Sequence, residues 1–217
     1  MERDEKLTRE LMDYCKKIGI NLVGFAAPLH FDRYPELNRP SFYLKDSNTV
    51  IIIGIHIYDI ILDAWHNGLD KQRNFHFADS ILENYCNRVK EFLSSNGFHS
   101  IIFPYKPGLY LKDAAAFAGI GPIGKNNLLL TKEYGSQIRL RALITDAALL
   151  VGDPVNESKY CKECNVCQES CPAKAFSDGI YNKDLCLNYN LLNLQKLSEY
   201  TVIWCNICIE SCPIGKK

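Results

Sequence analysis

Eight of the ten cysteines lie in the last third of the 217-residue chain, at spacings that suit metal chemistry better than packing. Cys161-x-x-Cys164-x-x-Cys167-x-x-x-Cys171-Pro172 has the spacing with which bacterial ferredoxins hold one [4Fe–4S] cube on three thiolates and lend the fourth to a second cube. A tight loop can turn three sulfurs inward while the proline carries the last cysteine away. Cys205-x-x-Cys208-x-x-x-Cys212-Pro213 repeats the last three cysteines and lacks the first, and Cys186 is the upstream cysteine left to complete it. The expected ligand sets are Cys161, Cys164, Cys167 and Cys212 for one cluster, and Cys171, Cys186, Cys205 and Cys208 for the other. Zinc is the alternative wherever Cys-x-x-Cys pairs occur, but two Cys-x-x-x-Cys-Pro endings with crosswise partners suit cubes better. Cys15 and Cys86 stand apart on helix-patterned segments and read as small buried apolar residues. Two neighbouring cubes make a wire for single electrons, so any substrate chemistry has to come from the residues before them.

Gly119-Ile-Gly121-Pro-Ile-Gly124-Lys125-Asn126-Asn127 is the other chemically suggestive stretch. On paper it fits both G-x-G-x-x-G and, short of its last position, the phosphate loop G-x-x-x-x-G-K. Both need a strand before the glycines and a helix after them, whereas an alanine-rich helical segment precedes this loop and strand-like Leu128–Thr131 follows. Two readings remain open: a backbone that approaches a large ligand closely, where a Cβ would not fit, or a loop that merely packs tightly.

The segments that must carry these residues read as alternating helices and strands up to Asp153-Pro154. Leu7, Leu11, Tyr14, Cys15 and Ile18 mark a helix stopped by Gly19, and a second helix runs from about Phe75 to Ser95. Asn21–Ala26, Thr49–Ile57, Ser100–Phe103 and Gln137–Thr145 read as strands, and Lys112–Ala118 as a short helix. The expectation is an α/β (α+β) mixed sheet with flanking helices over residues 1–154, followed by a two-[4Fe–4S] ferredoxin-like module over 155–217. With 25 basic and 25 acidic residues the formal charge is zero, which argues against a nucleic-acid partner bound by phosphate neutralisation. The charged start Met1–Lys6 is unlike a secretory signal and no apolar run reaches membrane-spanning length, so a cytoplasmic protein with reduced thiols is expected.

Taken together, Lys112–Leu130, Glu133–Leu140, Leu143–Asp146 and the two cysteine sets resemble epoxyqueuosine reductases, and the order of motifs is similar to the catalytic half of reductive dehalogenases. The resemblance extends to Leu22–Ala26 and the Val50–Ile57 strand. It implies a nitroreductase-like core that holds cobalamin beside the two-cluster module, with electrons passing singly to cobalt and on to a small or modified substrate. Gly119, Gly121, Gly124, Lys125, Asn126 and Asn127 would then lie against the corrinoid, with Arg139, Arg141 and Thr145 on the following strand reaching its polar groups; an exposed strand face accounts equally well for the two arginines. FMN is the alternative occupant, because nitroreductase-like folds commonly hold it. Epoxyqueuosine reductases carry an acidic proton donor upstream of the glycine loop, and Tyr105 stands near its place with Lys106 beside it. Reductive dehalogenases use a tyrosine as acid, so Tyr105 is a candidate donor. A phenol with a pKa of about 10 needs a cationic neighbour for that task, and Lys106 is the candidate; an ordinarily packed tyrosine is the other reading. The chain ends at Lys217, directly after the second cysteine set. The expectation is that it has no C-terminal extension to hold transfer RNA and acts on a substrate other than a queuosine precursor. The expected partner is a low-potential donor of ferredoxin or flavodoxin type. The competing function is an electron-transfer protein that reduces a partner such as a corrinoid protein.

Overall fold

A computed structural model describes residues 2–67, 74–177 and 179–215. It divides into two compact units: Met1–Ile55, Ile81–Pro122 and Arg139–Asn156 form the first, and His56–Ser80, Ile123–Ile138 and Glu157–Lys217 the second. The second unit thus joins the cysteine-rich segment to two earlier ones.

In the first unit the opening helix spans Glu5–Lys17, and Asp4 caps it by accepting from the Leu7 N–H. Its acidic first turn and basic last turn suit the helix dipole, and Leu7, Leu11 and Cys15 form the buried stripe. The sheet has the order Leu22–Ala26, Thr49–His56, Ile138–Thr145, Ser100–Ile102. The first pair is antiparallel, from Leu22 opposite Gly54 to Ala26 opposite Val50, as is the last, from Ser100 opposite Thr145 to Ile102 opposite Leu143. Between the two central strands, Asn48 N–H donates to the Thr145 carbonyl and Ile57 N–H to the Gln137 carbonyl. Those two bonds make the middle pair antiparallel too.

This corrects the expectation of a mixed sheet. Helix–strand alternation suggests parallel crossovers, but the connection between the first two strands contains only single-turn helices. The long helix Phe77–Ser95 follows a strand of a different sheet instead of linking two neighbours. Thr49–Ile55 is buried throughout, which is why that strand reads as one apolar run. Leu82, Cys86, Val89 and Leu93 bury the inner face of the long helix. Burial pushes the thiols of Cys15 and Cys86 up to about 12, so both remain neutral packing groups.

The second unit is built from short pieces. Asn74–His76, Trp65–Asn67, Thr201–Ile203 and Gln195–Lys196 make an antiparallel sheet in that order, and Phe176–Ser177 pairs with Ile180–Tyr181. Strands of two or three residues carry too little alternation to be seen in sequence. Helix Lys183–Leu192 is capped by Asn182, which accepts from the N–H groups of Asp184 and Leu185. Among the described residues no helix is long and apolar enough to cross a membrane.

Candidate functional site

The cysteine segments of the second unit repeat more than their sulfurs. Asn165-Val-Cys167-Gln-Glu-Ser-Cys171-Pro172 and Asn206-Ile-Cys208-Ile-Glu-Ser-Cys212-Pro213 share six of eight residues and the same backbone course. Asn165 and Asn206 enter at φ −125° and −121°, and single-turn helices Val166–Glu169 and Ile207–Glu210 follow. Cys171 N–H donates to Gln168 O and Cys212 N–H to Ile209 O, each at 3.2 Å. Each turn thus holds its middle cysteine on a helix and swings the last one out at the proline.

That swing sorts the sulfurs. Cys161, Cys164, Cys167 and Cys212 line one cavity, with Lys125, Asn126, Leu130 and Tyr160. Cys171, Cys186, Cys205 and Cys208 line a second, of about 360 Å³, with Tyr181, Asn190 and Trp204. The last cysteine of each turn therefore joins the set centred on the other. Among the described residues no three His, Cys, Asp or Glu groups stand together as a single metal ion requires. The electrostatics follow the same grouping. Burial raises the Cys167 thiol, and the charges of Cys212, Cys161 and Cys164 raise it further. Cys208 is pushed up to about 12 by burial and then by its neighbours, Cys205 first. Neighbouring thiols thus hinder the ionisation of Cys167 and Cys208, and bound iron is what would let them ionise.

The glycine loop reaches these cavities only through its second half. Gly124, Lys125, Asn126 and Asn127 belong to the second unit. A Cβ on Gly124 would sit 3.0 Å from Asn126 Oδ1, a tight approach, and 3.6 Å from Cys161 Sγ, an ordinary contact. Lys125 Nζ donates to Asn165 Oδ1 at 2.8 Å and to Lys162 O at 3.3 Å. Asn126 is buried, lines both cavities and donates to Ser136 Oγ at 2.9 Å. Asn127 takes φ 59°, which asparagine tolerates better than most residues. Nearby, Gly135 and Gly215 touch backbone to backbone: a Cβ on Gly135 would lie 2.1 Å from the Ile214 carbonyl oxygen. The Tyr134-Gly135 segment thereby packs against the turn that follows Cys212.

Gly119, Gly121, Tyr105, Lys106, Arg139, Arg141 and Thr145 lie in the first unit. Gly119 has φ +75°, and a Cβ there would meet the Asp153 carbonyl oxygen at 3.0 Å. Arg141 is buried instead of lying on an exposed strand face. Its guanidinium donates to Phe103 O and, at 3.1 Å, to Glu83 Oε2, and it covers the ring of half-exposed Tyr105. The cation found on Tyr105 therefore comes from the neighbouring strand, a partner the sequence did not suggest. Thr145 Oγ1 donates to His99 O at 2.7 Å. Two residues at the second cavity were not singled out from sequence. Asn190 bonds Cys186 and Cys205, and Tyr181 lines the same cavity, where burial first and then Cys186 raise its phenol pKa. The available signal for Asn190 was its position four residues after Cys186, on the same helix face.

No protein-family profile matches the chain. It is 32% identical over 211 residues to an epoxyqueuosine reductase of Lactococcus garvieae, a match covering 89% of this chain and 59% of that one. An epoxyqueuosine reductase solved with a tRNA-Tyr epoxyqueuosine-modified stem loop superposes at TM-score 0.74 and 20% identity, covering 97% of this chain and 65% of that one. A reductive dehalogenase whose structure suggests a mechanism for B12-dependent dehalogenation superposes at 0.69 and 15%, covering 95% and 31%. The fold is thus the α/β fold these two kinds of reductase share. The chain is a homologue of the epoxyqueuosine reductases, and it spans 59% and 56% of the length of two curated relatives it matches.

Proposed function

We propose that the protein is an iron–sulfur oxidoreductase that carries single electrons through two [4Fe–4S] clusters, in a ferredoxin-like module, to an acceptor at its α/β unit. The observation that carries this reading is the pair of cavities, each lined by four cysteines with one exchanged between the two turns. Cys161, Cys164, Cys167 and Cys212 would hold one cluster and Cys171, Cys186, Cys205 and Cys208 the other. Kinship with the two reductases supports a corrinoid as acceptor; when bound, cobalamin supplies a cobalt centre that accumulates electrons and reduces a substrate. Of the residues considered for contact with it, Gly119, Gly124, Lys125, Asn126, Arg141 and Thr145 are engaged by groups of this chain. Those contacts give each of these residues a packing role within the chain, so the support for a corrinoid comes from kinship. Tyr105, stacked on Arg141, is the proton donor in this reading. A tyrosine where epoxyqueuosine reductases carry an acid, together with a formal charge of zero, supports a small or modified substrate other than epoxyqueuosine in tRNA.

The engagement of those loop and strand residues also favours a second reading, an electron-transfer protein that reduces a partner such as a corrinoid protein. Anaerobic reconstitution with iron, sulfide and cobalamin, followed by desalting, separates the two. Corrinoid absorption that co-elutes with the protein supports the enzyme. Cluster absorption without corrinoid supports the transfer protein, and retention of FMN in its place would overturn the corrinoid reading. Turnover assays with an epoxyqueuosine-containing tRNA stem loop test the substrate directly.

A further inference from the structure

Asn190 is the only buried residue that the described structure gives to helix Lys183–Leu192, whose leucines at 185, 191 and 192 are exposed. A polar amide in that place costs free energy unless its hydrogen bonds are made, and all the bonds seen run to two cysteines. Nδ2 donates to Cys186 O at 2.8 Å and to Cys186 Sγ at 3.5 Å, and Oδ1 accepts from Cys205 N–H at 2.6 Å. One side chain therefore ties the helix carrying Cys186 to the loop carrying Cys205.

The two cysteine sets also differ in the donors around their sulfurs. At the second set Ala175 N–H donates to Cys171 Sγ and Asn190 Nδ2 to Cys186 Sγ, each at 3.5 Å. Among the described residues no such bond reaches a sulfur of the first set. Hydrogen bonds to cluster sulfurs withdraw electron density and are among the features that set reduction potential.

Resting on the cluster reading above, we infer that Asn190 is a tuning residue that makes the cluster of Cys171, Cys186, Cys205 and Cys208 the easier of the two to reduce. The step is a one-electron reduction of that cube from its 2+ to its 1+ state by an external low-potential one-electron donor, with no bond made or broken. The Asn190 amide favours the reduced state because its donated hydrogen bond strengthens as negative charge builds on sulfur.

The test is a potentiometric titration of the reconstituted full chain, monitored by electron paramagnetic resonance, for the natural sequence and for Asn190→Leu. The inference expects two resolved potentials, with the higher one falling in the variant by about tenfold in reduction equilibrium, about 59 mV for one electron, while the lower stays fixed. Asn190→Asp is read in its place should Asn190→Leu not retain its iron. It keeps the volume and the oxygen that accepts from Cys205, loses the donor, and is expected to lower the same potential. Unchanged potentials in a variant that retains both clusters overturn the role of Asn190 and leave the cluster reading standing. A natural chain that reconstitutes with fewer than two clusters overturns both.

Discussion

The guanidinium carbon of Arg141 lies 3.5 Å from the centre of the Tyr105 ring, while its Nη2 is held 3.1 Å from Glu83 Oε2. A cation over the face of an aromatic ring is attracted by its quadrupole. Glu83 and the Phe103 carbonyl fix the guanidinium, so the tyrosine is offered a preorganised cation instead of a flexible surface lysine.

The two halves of this pair are expected to fail differently. Arg141→Leu leaves the Phe103 carbonyl without its donor and should cost about 2 kcal/mol of unfolding free energy in urea titrations. Tyr105→Phe keeps the ring on the cation and should change stability by less than about 0.5 kcal/mol. Loss of reductase turnover in Tyr105→Phe, with an intact cluster spectrum, identifies the phenol as the donor; unchanged turnover removes it from the mechanism.

Gly135→Ala tests the backbone contact beside the first cysteine set. Its new methyl would meet the Ile214 carbonyl oxygen at 2.1 Å, and φ +56° is already unfavourable for alanine. Displacement of the turn after Cys212 is expected to cost about 3 kcal/mol. It should also lower the iron bound per chain, read by denaturant unfolding and iron analysis of the same sample.

The neutral thiols of Cys15 and Cys86 make a pH prediction. Both titrate near 12 when folded, against the ordinary thiol value of 9.0. Between those values the unfolded chain loses protons that the folded chain keeps, so stability falls as pH rises through that window, by up to about 1.4 kcal/mol per pH unit for each thiol. The double variant Cys15→Ala/Cys86→Ala should lose this part of the slope in unfolding titrations between pH 9 and 11. A slope equal to that of the natural chain would show that other groups carry it.

Much of this architecture was legible because ligand chemistry dictates spacing. Cys-x-x-Cys and Cys-x-x-x-Cys-Pro place sulfurs through local turns, and the cavities in the structure are lined by the same two groups of four read from sequence. The Thr49–His56 strand was equally plain, since a strand buried on both faces is a continuous apolar run. What escaped depends on distant partners. Arg141 alternates with apolar residues as a solvent-facing arginine would, and only Glu83 and Phe103, from other elements, explain its burial. Strand direction escaped for a similar reason: helix–strand alternation does not reveal that the long helix leads from one sheet to another. Asn190 sits in a polar helix, where an asparagine carries no signal until the fold brings Cys205 to it.

The central claim is the division of eight cysteines between two cubane clusters, and iron and sulfide analysis after anaerobic reconstitution tests it most directly. The account predicts about eight iron and eight sulfide per chain, falling to about four of each in Cys186→Ser with the first cluster's spectrum retained. About four iron in the natural chain, or one or two zinc ions without sulfide, would contradict it.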